Sequence, residues 1–188
     1  ALPEDVIYAV DTFPMPEEKV QEAVLQVKNN YKGAAVLLAQ PKQSVPLLKE
    51  AWRDSEKESG ERLIYAQLLG ILGDATGIQT LIEKVRSFDK WDTGWNFKGM
   101  GQFGNSMSRL DSFIYALGLS RDRRALPPIL EKMKTLEAKH AFSHHRAVAR
   151  ALESIGDPRG AKAIAEVLMK PRMISENTNS LDRGIALR

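Results

Sequence analysis

Leu69-Gly70-Ile71-Leu72-Gly73-Asp74-Ala75-Thr76-Gly77-Ile78 reads as the end of one helix, a tight turn and the start of the next. A glycine near the end of a helix accepts the left-handed conformation that closes it. The Asp that follows can accept hydrogen bonds from the unsatisfied N–H groups of the next helix. The same reading applies to Leu117-Gly118-Leu119-Ser120-Arg121-Asp122-Arg123-Arg124-Ala125-Leu126 and to Leu152-Glu153-Ser154-Ile155-Gly156-Asp157-Pro158-Arg159-Gly160-Ala161. Pro158 suits the first helical turn, where its missing N–H costs nothing. A degenerate earlier joint runs from Val36 to Val45, with Pro41 in the place of the Asp. The spacings, Pro41 to Asp74 about 33, Asp74 to Asp122 about 48 and Asp122 to Asp157 about 35, match two-helix repeat periods except in the middle.

Between the joints, aliphatic residues recur at helical spacing. Val20, Val24 and Val27 form one such face, followed by Val45, Leu48 and Trp52, then Ile64, Leu68 and Ile71, then Ile78, Leu81, Ile82 and Val85. Later faces are Leu110, Phe113, Ile114 and Leu117; Leu126, Ile129, Leu130 and Met133; Val148, Leu152 and Ile155; and Ala161, Ile164 and Leu168. The pattern predicts an all-α protein, a right-handed stack of helix pairs with about nine helices. An extended lead-in is expected over 1–16, where Pro14 and Pro16 forbid a helix. The helical repeats then occupy 17–170, and a polar turn with the beginning of a further repeat fills 171–188.

The joints and the alternating aliphatics resemble HEAT-like repeats of the short type first associated with phycobilisome lyases, over roughly residues 31–170. That resemblance implies an α-α superhelix and a scaffold or interaction role; the lyase association implies, as a third possibility, bilin handling. A second resemblance covers W-D-T-G-W-N-F-K-G-M-G-Q-F-G-N-S-M-S-R-L-D-S-F-I-Y-A-L-G, residues 91–118. This run is similar to the helical C-terminal region of some large bacterial FAD-dependent oxidoreductases, many of them exported. It implies a parent protein holding FAD outside this chain, an extracytoplasmic location, and a domain that completes the parent's substrate or cofactor pocket. The absence of an initial Met and the helix start close to Arg188 also suggest a piece of something longer.

The surplus in the middle interval is the segment from Phe88 to Asn105, an insertion rich in Trp, Phe and Gly. Trp91, Trp95, Phe97 and Phe103, interleaved with Asp92, Asn96, Gln102 and Asn105, combine flat apolar faces with amide hydrogen bonding. The loop either folds back as a plug of the helical stack or presents these residues to a partner domain or small ligand. Gly99-Met100-Gly101-Gln102-Phe103-Gly104 spells G-x-G-x-x-G, but no strand precedes it, so it is not a dinucleotide fingerprint.

The composition is that of a globular protein, 43% hydrophobic and 27% charged. The net charge of +3 is too small to imply nucleic acid by itself, but it is unevenly placed. Residues 1–97 carry 11 Lys/Arg against 15 Asp/Glu and residues 98–188 carry 16 against 9, which makes an acidic partner for the second half conceivable. Without Cys, disulfides and thiolate chemistry are excluded. No apolar run approaches a membrane span, and no signal peptide is recognisable.

Arg121, Arg123, Arg124, Arg146, Arg150 and Arg159 fall where stacked repeats could gather them into a ridge for carboxylate or phosphate groups, the alternative being solvated surface with local Asp pairing. Nucleic acid is the least favoured ligand, because no aromatic stacking platform shares those elements. His140 and His144, one helical turn apart, with Glu137 a turn earlier, could hold a metal, or they could be solvated or core-edge histidines, with Ser143 capping the next helix. No nucleophile constellation appears, since Ser143 and His144 point about 100° apart on a helix. The sequence therefore predicts a non-catalytic scaffold bound to a protein or neighbouring domain, with no cofactor or metal of its own.

Overall fold

The computed structural model describes residues 15–30, 33–94 and 107–173. Regular structure among these residues is entirely helical: α1 Glu17–Asn30, α2 Ala34–Ala39, α3 Pro41–Asp54, α4 Gly60–Ile71, α5 Ile78–Arg86, α6 Arg109–Leu119, a 3₁₀ turn Arg123–Ala125, α7 Leu126–Met133, α8 Phe142–Ile155 and α9 Pro158–Leu168. The lead-in up to residue 14, the end from residue 174 and residues 95–106 lie outside the described residues.

The last two joints are capped as the sequence predicts, whereas Asp74 accepts within the turn ahead of α5, whose cap position is Gly77 with no side-chain hydrogen bond. Asp74 accepts from the Thr76 N–H at 2.8 Å, Asp122 from Arg124 N–H at 2.8 Å and Asp157 from Arg159 N–H at 3.0 Å. The residue before each Asp has positive φ: Gly73 at 83°, Arg121 at 55° and Gly156 at 67°. In the middle joint an Arg thus occupies the left-handed position that glycine fills in the other two. Gly118 lies inside α6, buried where that helix crosses α8. A Cβ there would stand 2.2 Å from Ala151 Cα, so Gly118 permits close packing and makes no turn.

The joined helices form two layers. α4 packs on α6 and α6 on α8, with α6–α8 the most extensive contact, while α5 packs on α7 and α7 on α9. Each pair α4/α5, α6/α7 and α8/α9 contributes one helix to each layer, and the core lies between them. That core includes Ile78, Leu81, Val85, Leu110, Ile114, Leu117, Leu126 and Ile129. A second cluster, formed by Val20, Val24, Val27, Leu37, Leu48 and Leu69, sits under α1–α4, and Trp52 packs against both.

The predicted apolar faces are recovered best where a helix has one buried side. α4 departs from this: Tyr65, Ala66, Leu68 and Leu69 are buried, whereas Ile64 and Ile71 are only half-buried. It touches α1, α2, α3, α5 and α6, so nearly its whole circumference is apolar and no single stripe defines it. In α9, Ala161 is exposed and Val167 is buried. Ser143 does not cap α8. The helix starts at Phe142, Ala141 takes the cap position, and Ser143 is buried in the first turn.

Candidate functional site

The segment leaving α5 is tied down step by step. Phe88 packs on Phe113 with ring centroids 6.2 Å apart, and the Phe88 carbonyl accepts from Lys132 Nζ. Burial, opposed by the charges of Asp89 and Glu131, leaves the Lys132 ammonium below its ordinary value. Trp91 Nε1–H donates to Thr135 Oγ1 at 3.1 Å, and its ring lies over His144 at 4.8 Å and His140 at 6.1 Å. Asp92 then turns back to α6, where its Oδ2 accepts from the Leu110 N–H at 3.1 Å. A carboxylate fits that place, since the first-turn N–H groups of α6 have no partner within the helix and carry the positive end of its dipole.

Beneath Trp91 is a buried pair. His144, on α8, has 1% of its surface exposed and Asp111, on α6, none. His144 Nδ1 lies 2.6 Å from Asp111 Oδ1, and its Nε2 lies 3.0 Å from the Asp92 carbonyl oxygen. Both ring nitrogens face oxygen acceptors, which is the arrangement of an imidazolium against a carboxylate. Burial works against that charge. The hydrogen bond and charge of Asp111, joined by the Asp92 carbonyl, overcome it and raise the His144 pKa. His140, by contrast, is pushed down mainly by its burial.

Two details show how closely this base is fitted. A Cβ on Gly94 would come within 2.4 Å of Ser143 Oγ, 2.7 Å of Ala141 Cβ and 2.8 Å of His144 Cε1, so only glycine fits as the chain passes α8. Asp111 Oδ2 and Asp92 Oδ1 are buried without hydrogen-bond partners among the described residues. The unmatched carboxylate oxygens make the pair costly to break from the histidine side, because the charge left behind would have little else to satisfy it.

Chemically the pair holds structure. With an oxygen against each ring nitrogen and almost no exposure, His144 has no nitrogen open to a substrate. Among the described residues, no group of three His, Asp or Glu side chains is arranged to hold a metal ion. The sequence offers His144 as a metal ligand or a core-edge group and does not single out Asp111. The available signal was a charged residue on each apolar stripe: Asp111 shares a face with Ile114 and Gly118, and His144 with Val148 and Ala151.

Of the predicted loop residues, Trp91 and Asp92 are part of this base; Trp95, Asn96, Phe97, Gln102, Phe103 and Asn105 lie outside the described residues. The six predicted arginines are exposed, and three of them, Arg124, Arg150 and Arg159, have local partners among the described residues. Arg124 grips its own cap, Nε on Asp122 Oδ1 at 3.0 Å and Nη2 on Oδ2 at 2.7 Å, and Arg159 repeats this on Asp157 at 2.9 Å for both bonds. Arg150 pairs with Glu153 at 2.9 Å, and Arg146 stands one turn earlier on α8. No helix among the described residues is long and apolar enough to cross a membrane.

No family model matches the chain, and neither the curated proteins nor the solved structures compared with it give a match.

Proposed function

We propose that the chain is an interaction module: a HEAT-like superhelical stack that fixes the root of an aromatic loop and presents the loop to a protein or neighbouring domain. The observation that carries this reading is His144, held at one nitrogen by Asp111 of α6 and at the other by the Asp92 carbonyl of the loop root. A loop that only joined two helices would need no such anchorage, and fixing its root lowers the entropy lost when its far part meets a partner. The role is non-catalytic, in keeping with a buried histidine whose ring nitrogens are both engaged.

The test is the energetic role of the loop's later aromatics. In the double variant Trp95→Ala/Phe97→Ala, presentation predicts a Tm within about 2 °C of the parent chain. Aromatics plugging the stack would each cost about 3–5 kcal/mol on truncation, which lowers Tm by more than about 10 °C in a chain of this size. That second result would overturn the proposal.

A further inference from the structure

The joint at Arg121 breaks a local rule that its two counterparts obey. Gly73 and Gly156 take the left-handed conformation at no steric cost, whereas Arg121 takes it, at φ 55°, with a Cβ crowding the following carbonyl. The side chain that brings this strain is exposed and makes no hydrogen bond or ion pair among the described residues, so the folded chain gains nothing visible from it. Strain kept where glycine would relieve it points to a role for the side chain.

Its surroundings indicate the role. Arg123, two residues on, is also exposed and has no salt bridge among the described residues. Asp122 between them is already engaged by both the Arg124 backbone and its guanidinium. The next joint lies alongside, because these joints lead into α7 and α9, which pack on each other. Asp157 there is held well below the usual carboxylate range, first by its hydrogen bonds from Arg159, with a smaller contribution from the charge of Arg123. The edge therefore has four guanidiniums, two of them without a hydrogen bond or salt bridge among the described residues, and two carboxylates already hydrogen-bonded by the other two.

We infer that Arg121 and Arg123 head a docking surface for an acidic segment of a partner protein. Guanidinium forks suit carboxylates bidentately, and discrete side-chain carboxylates can reach Arg121 and Arg123 while avoiding Asp122 and Asp157. A continuous phosphate backbone would run against both aspartates. This edge is at the opposite end of α6 from the loop root, about 16 Å along an 11-residue helix, so it stands independently of the aromatic loop.

The experiment uses the full chain and a fluorescein-labelled peptide of ten glutamates, followed by anisotropy from low to physiological salt, with a single-stranded oligonucleotide of equal charge as comparison. Binding that weakens with salt is expected, and Arg123→Ala and Arg121→Gly should each weaken it about five- to tenfold. Arg86→Ala removes the same charge at a residue paired with Glu131 on another part of the surface, and should leave binding unchanged. Arg121→Gly should also raise Tm by about 2 °C as the backbone strain is relieved, which separates lost binding from lost folding. The inference is overturned if the peptide does not bind, if Arg86→Ala weakens binding equally, if Arg121→Gly lowers Tm or leaves the affinity intact, or if the oligonucleotide binds more tightly through the same arginines.

Discussion

Replacing Asp111 by Ala and by Asn separates the charge of the buried pair from its shape. In Asp111→Ala the imidazole loses its partner at Nδ1 and a cavity opens between α6 and α8, in a place with no exposed surface. Breaking a buried pair from one side costs about 3–5 kcal/mol, and a value near 3 is expected because His144 can escape part of the cost by giving up its proton. In Asp111→Asn the amide N–H can donate to Nδ1 of a neutral imidazole while Nε2–H still donates to the Asp92 carbonyl. The oxygen left at the unpartnered Oδ2 position is then uncharged, so the loss should be about 1 kcal/mol.

The two variants also differ from the parent in pH dependence. The folded His144 pKa lies above its unfolded value of about 6.5, so its stabilisation is fully present below about pH 6.5 and is lost as pH rises through the folded value. Asp111→Asn removes that contribution, and the difference between parent and Asn variant should shrink from pH 6 towards pH 9. Urea unfolding followed by tryptophan fluorescence at several pH values gives both quantities, provided the transition is two-state. An Asn variant as unstable as the Ala variant, or a parent-to-Asn difference that does not change with pH, would refute the ion-pair reasoning.

Other outcomes follow from single contacts. Gly118→Ala places a methyl group 2.2 Å from Ala151 Cα and 2.9 Å from its carbonyl oxygen, so α6 and α8 must move apart; denaturant unfolding should show a loss of at least about 2 kcal/mol. Ser108 is buried and its Oγ accepts from the Asp111 N–H at 3.0 Å, so Ser108→Ala should cost about 1 kcal/mol in the same assay. Gly94→Ala should destabilise the loop root against Ser143 and His144, seen as faster exchange of the Leu110 amide while α1–α3 stay protected.

The joints were legible because their information is local. Gly156-Asp157 carries turn and cap in adjacent residues and Gly73-Asp74 carries the turn, and no distant contact is needed to read them. Arg121 was hidden for the same reason: a left-handed Arg has no sequence signature, and only its alignment between two glycine joints marks it. The pair of Asp111 with His144 spans 33 positions and two helices, so its partners could not be matched from spacing. Ser143 reads as a cap because Ser often caps helices, whereas α8 starts one residue earlier, at Phe142, with Ala141 in the cap position. The buried face of α4 was blurred by neighbours on nearly every side.

Nitrogen NMR of the imidazoles in a pH titration shows whether a charged histidine fastens the loop root to α6. His144 should have both Nδ1 and Nε2 protonated at pH 6 and titrate above the ordinary value of about 6.5, with the Leu110 amide shifting at the same midpoint. A His144 that is a neutral single tautomer at pH 6, or that titrates without moving Leu110, would contradict it.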